Sequence, residues 1–204
     1  MEISSKYKTV LHRAEGEYKE KGSKFIGIVE ACYSENEAKQ LLENWRKEHH
    51  QARHLCYAYR FGLAKQIFRS NDDGEPNNSA GAPILGQIQS FDLSNVLIGV
   101  VRYYGGTKLG VGGLIHAYRT AAKESIEAAE IIEKEVFCHV KLIFGYDSMP
   151  DVMNWLKQSN LVYTNQHFEL KCELDVALPL NEKQNYLIEI SSFGLDEVIE
   201  LGEY

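Results

Sequence analysis

The chain has 204 residues, 44% of them apolar and 25% charged, with a formal net charge of -7. That balance belongs to a globular protein with room for one large or two small domains, and the absence of any run of eighteen apolar residues excludes a membrane-spanning helix. The four cysteines, Cys32, Cys56, Cys138 and Cys172, form no CxxC pair, so buried thiols are expected rather than a zinc site or a redox couple.

The first 25 residues hold no apolar core segment and no small-residue cleavage site, so the expected compartment is the cytoplasm. The charge is unevenly spread. Residues 1–135 carry 18 Lys+Arg against 18 Asp+Glu, whereas residues 136–204 carry 4 against 11. The acidic tail is a poor partner for nucleic acid at long range. An anion site in the neutral first part would have to be a local cluster.

In chain order, residues 7–12 predict a short strand. Residues 24–32 (KFIGIVEAC) predict a buried one, too densely apolar for simple alternation. Ser34 and Glu37 have capping-box spacing before ENEAKQLLENWRKEHH, whose Ala38, Leu41, Leu42 and Trp45 recur at helical spacing. HLCYAYRF (54–61) and KQIFRS (65–70) predict a strand pair, NDDGEPNNSAGAP (71–83) a turn-rich loop, and residues 83–91 a short helix. NVLIGVVRYY (95–104) predicts a buried strand, and a helix follows from Val111. The tail reads strand (136–144), helix (148–159), strand (161–166), strand (169–178), helix (182–193), strand (197–201). This βαββαβ order is the split-βαβ, ferredoxin-like pattern. The expected class is α+β, as two α/β sandwich domains with a boundary at 135/136.

Between the strand at 95–104 and its helix stand five glycines, Gly105, Gly106, Gly110, Gly112 and Gly113, with Thr107 and Lys108 among them. Gly105 and Gly110 have P-loop separation, but Val111-Gly112 replaces Lys-Ser/Thr. Ile115 stands where a dinucleotide fingerprint needs glycine. Nucleotide hydrolysis and NAD binding therefore lose their main support.

Two readings of the loop remain. Its backbone N–H groups and the helix dipole could hold an anion beside Arg102 and Lys108, with Arg119 and Lys123 on the exposed helix face. Alternatively, the glycines only permit positive φ and close packing. Asp72, Asp73 and Glu75 could bind Mg²⁺ or act in acid–base chemistry. They could equally form a solvated turn or clamp Arg102 or Lys108. His54 and Cys56 would share one strand face, as a nucleophile pair or as a core thiol beside a hydrogen-bonded histidine. Tyr57, Tyr59, Tyr103 and Tyr104 are candidates for core or for base stacking.

Taken together, VVRYYGGTKLGVGGLIHAYRTAAKESI, DDGEPNNSAGAPIL, HLCYAYRF and KGSKFIG resemble the YigZ/IMPACT family along the whole chain. The resemblance implies a first domain like domain four of elongation factor G, or the second domain of a small-subunit ribosomal protein. It implies a second domain like that factor's ferredoxin-like fifth. Eukaryotic members regulate translation through a protein partner in a stress-kinase pathway. The family pattern falls on Arg102 to Gly113 and Asp72 to Pro83. This sequence departs from it at Asn77-Asn78-Ser79, where a serine- or proline-glycine-threonine run is expected.

The reading that results is a non-enzymatic, translation-associated regulator without cofactor or metal. It would bind structured RNA or the ribosome through Arg102, Gly105, Gly106, Thr107, Lys108, Gly110, Gly112, Gly113, Arg119 and Lys123. Asp72, Asp73 and Glu75 would form a possible secondary site. The alternatives are a regulator that contacts only a translation-related protein, and a hydrolase acting on a phosphorylated substrate.

Overall fold

The structure, a computed structural model, describes residues 5–203. The chain divides into two compact units: Tyr7–Lys134, and the chain from Glu135 together with Ser5 and Lys6. The described residues are α+β, with five α-helices and three sheets.

The larger unit begins with β1 (Lys6–Val10), β2 (Ala14–Glu20) and β3 (Ser23–Ala31), followed by α1 (Glu35–Glu48). Then come β4 (His54–Phe61), β5 (Ile67–Asn71), α2 (Gly81–Ser90), β6 (Val96–Tyr103), α3 (Gly110–Glu127) and β7 (Ile131–Glu135). Five strands form an antiparallel sheet in the order β2-β3-β6-β4-β5. β1 pairs with β7 where the chain enters and leaves the unit.

Both faces of this sheet are covered, so the unit has three layers rather than the two of a simple sandwich. Ile28, Leu55, Leu97 and Val101 pack on Ala38 and Trp45 of α1. Phe25, Val29, Cys56, Ile98 and Val100 pack on α2 and α3 through Ile84, Ile88, Ala117, Tyr118 and Ala121. Two-sided burial explains why residues 24–32 and 95–104 read as nearly unbroken apolar runs. β2 and β7 are strands that the sequence pattern does not announce: both are polar, β2 alternating between half-buried and exposed residues and β7 mostly exposed.

Ser34 caps α1, its hydroxyl accepting from the Glu37 N–H at 3.2 Å. The Glu37 carboxylate accepts from the Tyr33 N–H at 2.7 Å, one residue earlier than the reciprocal bond of a capping box.

The smaller unit runs β8 (Phe137–Phe144), a 3₁₀ turn, α4 (Met149–Ser159), β9 (Val162–Phe168), β10 (Cys172–Pro179), α5 (Lys183–Ser191) and β11 (Glu197–Glu203). Its sheet has the order β11-β8-β10-β9, with every neighbour antiparallel. Cys138, Val140, Leu142 and Phe144 alternate along β8, and Cys172, Leu174, Val176 and Leu178 along β10. They meet Val152 and Leu156 of α4 and Ile190 of α5 in a second core. α4 stops at Asn160, which takes the left-handed conformation (φ 53°) that ends helices.

Candidate anion-binding site

β6 delivers Arg102 and Tyr103 to the end of the sheet, and α3 starts seven residues later. The glycines between them serve different ends. Gly105 lies against the β2–β3 turn, where a Cβ would stand 1.9 Å from the carbonyl carbon of Gly22, and its N–H donates to the Ser23 hydroxyl at 3.1 Å. Gly106 (φ 87°) and Gly110 (φ 72°) take left-handed backbone in open space. The turn role is thus real, and the Gly105 amide is spent on it.

The helix start is different. Leu109 supplies no side-chain cap, and the first turn of α3 carries no acidic residue. The amides there have no partner within the helix and form its positive end.

That helix end opens on a pocket of about 470 Å³. Arg53, His54, Arg102 and Lys108 line it, with the Glu75 carboxylate in its wall. Tyr104, Leu109, Val111 and Leu114 supply its apolar surface. β4 and β6 bring the cations together, because His54 stands opposite Arg102 in the ladder.

Arg102 is only 6% exposed. Its Nη1 donates to Glu75 Oε1 at 2.6 Å, but its Nε–H has no partner. Its guanidinium lies over the rings of Phe25 (5.5 Å) and Tyr104 (5.4 Å), and that of Arg53 lies 5.7 Å from the Tyr104 centroid. Glu75 Oε1 also accepts from the Tyr118 hydroxyl at 2.8 Å. Burial, with Cys56 and Glu75 nearby, pushes the Tyr118 phenol well above its ordinary range, so it remains a donor.

His54 Nδ1 lies 2.7 Å from the carbonyl oxygen of Asp73, which can only accept, so Nδ1 carries the hydrogen. In the neutral ring Nε2 is then an acceptor, 4.0 Å from Glu75 Oε1. Cys56 is fully buried, and burial pushes its thiol up from the usual range. A thiol so held is a poor nucleophile. Its Sγ donates to the Asp72 carbonyl at 3.0 Å, so Cys56 is a core thiol and His54 the pocket group.

The acidic loop sends its three carboxylates in different directions. Asp72 accepts from the amides of Asn78 (2.8 Å), Ala80 (3.0 Å) and Gly81 (2.8 Å). Asp73 accepts from the Leu55 N–H (2.7 Å) and pairs with Arg46 (2.8 Å). Glu75 turns inward to Arg102. Of the sequence alternatives, clamping describes this loop, and among the described residues no cluster of His, Cys, Asp or Glu is arranged to hold a metal ion. Asn78 takes φ 60°, the backbone of the glycine that the family pattern implies there. Asparagine tolerates that conformation, so the turn survives the departure.

Of the residues singled out from the sequence, Arg102, Lys108 and Gly110 meet in the pocket. Arg119 lines a separate hollow with Pro83, Gln87 and Ile115, and Lys123 pairs with Glu127 at 3.2 Å one turn along the helix. Tyr59 is buried and stacks on Phe61 at 4.4 Å, and Tyr103 is bonded to His49 at 2.9 Å. Tyr104 alone of the four candidate tyrosines is exposed at the pocket. Arg53 was not anticipated. It precedes β4 with no motif around it, and only the β4–β6 pairing reveals its place.

A two-unit α+β chain with a cation-lined pocket at a glycine-rich helix start has known relatives. The Impact N-terminal domain model matches residues 21–126, which hold the whole pocket. The chain is 31% identical over 169 residues to IMPACT family member YvyE of Bacillus subtilis, covering 83% of this chain and 78% of that one. It is 30% identical over 176 residues to IMPACT family member YigZ of Escherichia coli, covering 85% and 86%. A crystal structure described as that of a hypothetical protein superposes with a TM-score of 0.71 at 27% identity, covering 98% of this chain and 99% of that one. The chain belongs to the IMPACT family.

Proposed function

We propose that the protein is a cytoplasmic, translation-associated RNA-binding module whose larger unit contacts phosphate groups at the α3 start. The observation that carries this reading is Arg102, a buried guanidinium whose Nε–H has no partner, lining a pocket with Arg53 and Lys108 at an uncapped helix terminus. Each element favours an anion by itself, and here they converge. The proposed surface differs from the one read off the sequence: Arg53 joins it, while Arg119 and Lys123 leave it.

The fold analogy points the same way. The β11-β8-β10-β9 order of the smaller unit supports a ferredoxin-like assignment, like the fifth domain of elongation factor G. On this reading the larger unit corresponds to that factor's fourth domain and the division near residue 135 is a domain boundary. Fold likeness alone assigns no function, so the pocket bears the weight.

The test is RNA affinity against salt, by fluorescence anisotropy with a single-stranded oligonucleotide. Three phosphate contacts give a log–log slope of about -2. Arg53→Ala with Lys108→Ala should flatten it. A salt-independent affinity, or a double variant that binds like the parent, ends the proposal.

A second reading, regulation through a protein partner alone, is favoured by the acidity of residues 136–204, with 4 Lys+Arg against 11 Asp+Glu. Partners captured from nuclease-treated lysate, with no affinity for purified RNA, would select it.

A further inference from the structure

We infer that the pocket at the α3 start receives one whole unstacked nucleotide, base and phosphate together, rather than a phosphate alone. This rests on the anion reading above and adds the class of ligand.

The first argument is size. About 470 Å³ is a cavity of small-molecule dimensions, far roomier than a phosphate group needs. A site built only to track a backbone would be a shallow groove over cations.

The second is the composition of its lining. Lys108, Arg53 and the first-turn amides of α3 supply positive charge. Tyr104, Leu109, Val111 and Leu114 add apolar surface, with the Arg53 and Arg102 guanidinium groups over the Tyr104 ring. Tyr104 is 41% exposed and Val111 53% exposed, large apolar side chains left uncovered beside charged ones. A wholly anionic ligand gains nothing from that surface. A flat heteroaromatic ring does, by burial and by stacking.

The third is the hydrogen-bonding pattern of the wall. Arg102 Nε–H is a donor without a partner. Beside it stands an acceptor, the Glu75 carboxylate. A phosphodiester presents only acceptors at neutral pH and would face Glu75 unfavourably. The edge of a nucleobase bearing an amino group carries donors and acceptors together, and answers both. Guanine offers an N–H, an amino group and a carbonyl oxygen on that edge, whereas uracil has no amino group. RNA-binding proteins commonly read bases that are splayed out of loops and ends in this way.

The experiment titrates the full-length protein, by calorimetry and by chemical-shift perturbation, with inorganic phosphate, GMP, UMP and guanosine. GMP is expected to bind at least about tenfold tighter than inorganic phosphate, a difference of about 1.4 kcal/mol. UMP should fall between them. Lys108→Ala should weaken GMP and phosphate alike. Tyr104→Ala should weaken GMP about tenfold and leave phosphate unchanged. If GMP and phosphate bind equally, or Tyr104→Ala leaves GMP unaffected, the nucleotide inference is overturned and the anion site stands. If neither phosphate nor GMP binds, the anion reading falls with it.

Discussion

The two units bury their sheets with opposite treatment of charge. In the smaller unit, apolar residues alternate along β8 and β10 and meet α4 and α5 in an apolar core. Its ion pairs, Lys141–Glu173 at 3.6 Å, Lys171–Asp196 at 3.3 Å and Lys183–Glu200 at 2.8 Å, involve partly exposed side chains. Its buried carboxylate, Asp175, is held at Oδ2 by the neutral Asn165 amide at 2.7 Å rather than by a cation, and its Oδ1 has no partner. The larger unit instead buries an ion pair, Arg102–Glu75, and leaves part of it unsatisfied beside a pocket. Burying a pair of charges rarely improves stability over an apolar replacement. Among the described residues each unit thus leaves one buried polar atom without a partner, but the larger unit sets buried charges of opposite sign beside a pocket.

Substitutions at four positions and one titration can break or sharpen that contrast. The largest expected effect is from Glu75→Ala, which strands the Arg102 charge and should cost about 3–5 kcal/mol in urea denaturation. Glu75→Gln should cost less. A loss below about 1 kcal/mol for the alanine variant would mean that Arg102 is not effectively buried. Next, Leu142→Ala in the smaller unit should cost about 2–5 kcal/mol by cavity formation. Its RNA affinity should match the parent, and a parallel loss of binding would show the units to be coupled.

Tyr118→Phe removes one donor to a charged acceptor and should cost about 1.5–3 kcal/mol. Titration to alkaline pH tests the burial of this cluster, and of Tyr59 on the other face of the sheet, without mutation. Burial raises Cys56 from an ordinary value of 9.0, and raises Tyr118. Tyr59 is pushed up to about 12. Above pH 9 the unfolded chain loses these protons first, so the folded state binds more protons and stability falls as pH rises. Thermal midpoints flat from pH 8 to 11 would contradict that burial. The smallest effect is expected from Lys123→Ala, within about 0.5 kcal/mol in stability and with RNA affinity unchanged. A marked loss of RNA binding there would restore the exposed α3 face to the site.

How legible all this was depended on periodicity. α1, β6 and α3 carry strong patterns, and their residues sit close to the places the spacing predicts. β2 was invisible because AEGEYKE has almost nothing apolar to repeat. It is held by backbone pairing to β3, with Gly16 so close to α3 that a Cβ would lie 2.4 Å from the Glu124 carbonyl carbon. The site was half legible. Arg102 and Lys108 belong to one local motif, and so were read together. Arg53 and His54 reach the pocket through strand register, and Glu75 through a loop crossing from another part of the chain. Such long-range placement leaves no mark on local spacing. Arg119 and Lys123 stand on the exposed face that helical periodicity predicts, but outside this pocket, because periodicity cannot say which surface hollow a face borders.

Asp72 has a bearing on the thermodynamics of recognition. Loops of this length without regular structure usually lose entropy when a ligand orders them. Here one carboxylate gathers the amides of Asn78, Ala80 and Gly81, and Asp73 fastens the same segment to β4. Glu75 and Pro76, carried between those fastenings, form the pocket wall before anything enters. A ligand would find its receptor already ordered. Its association should show little of the ordering penalty that a mobile lid would impose.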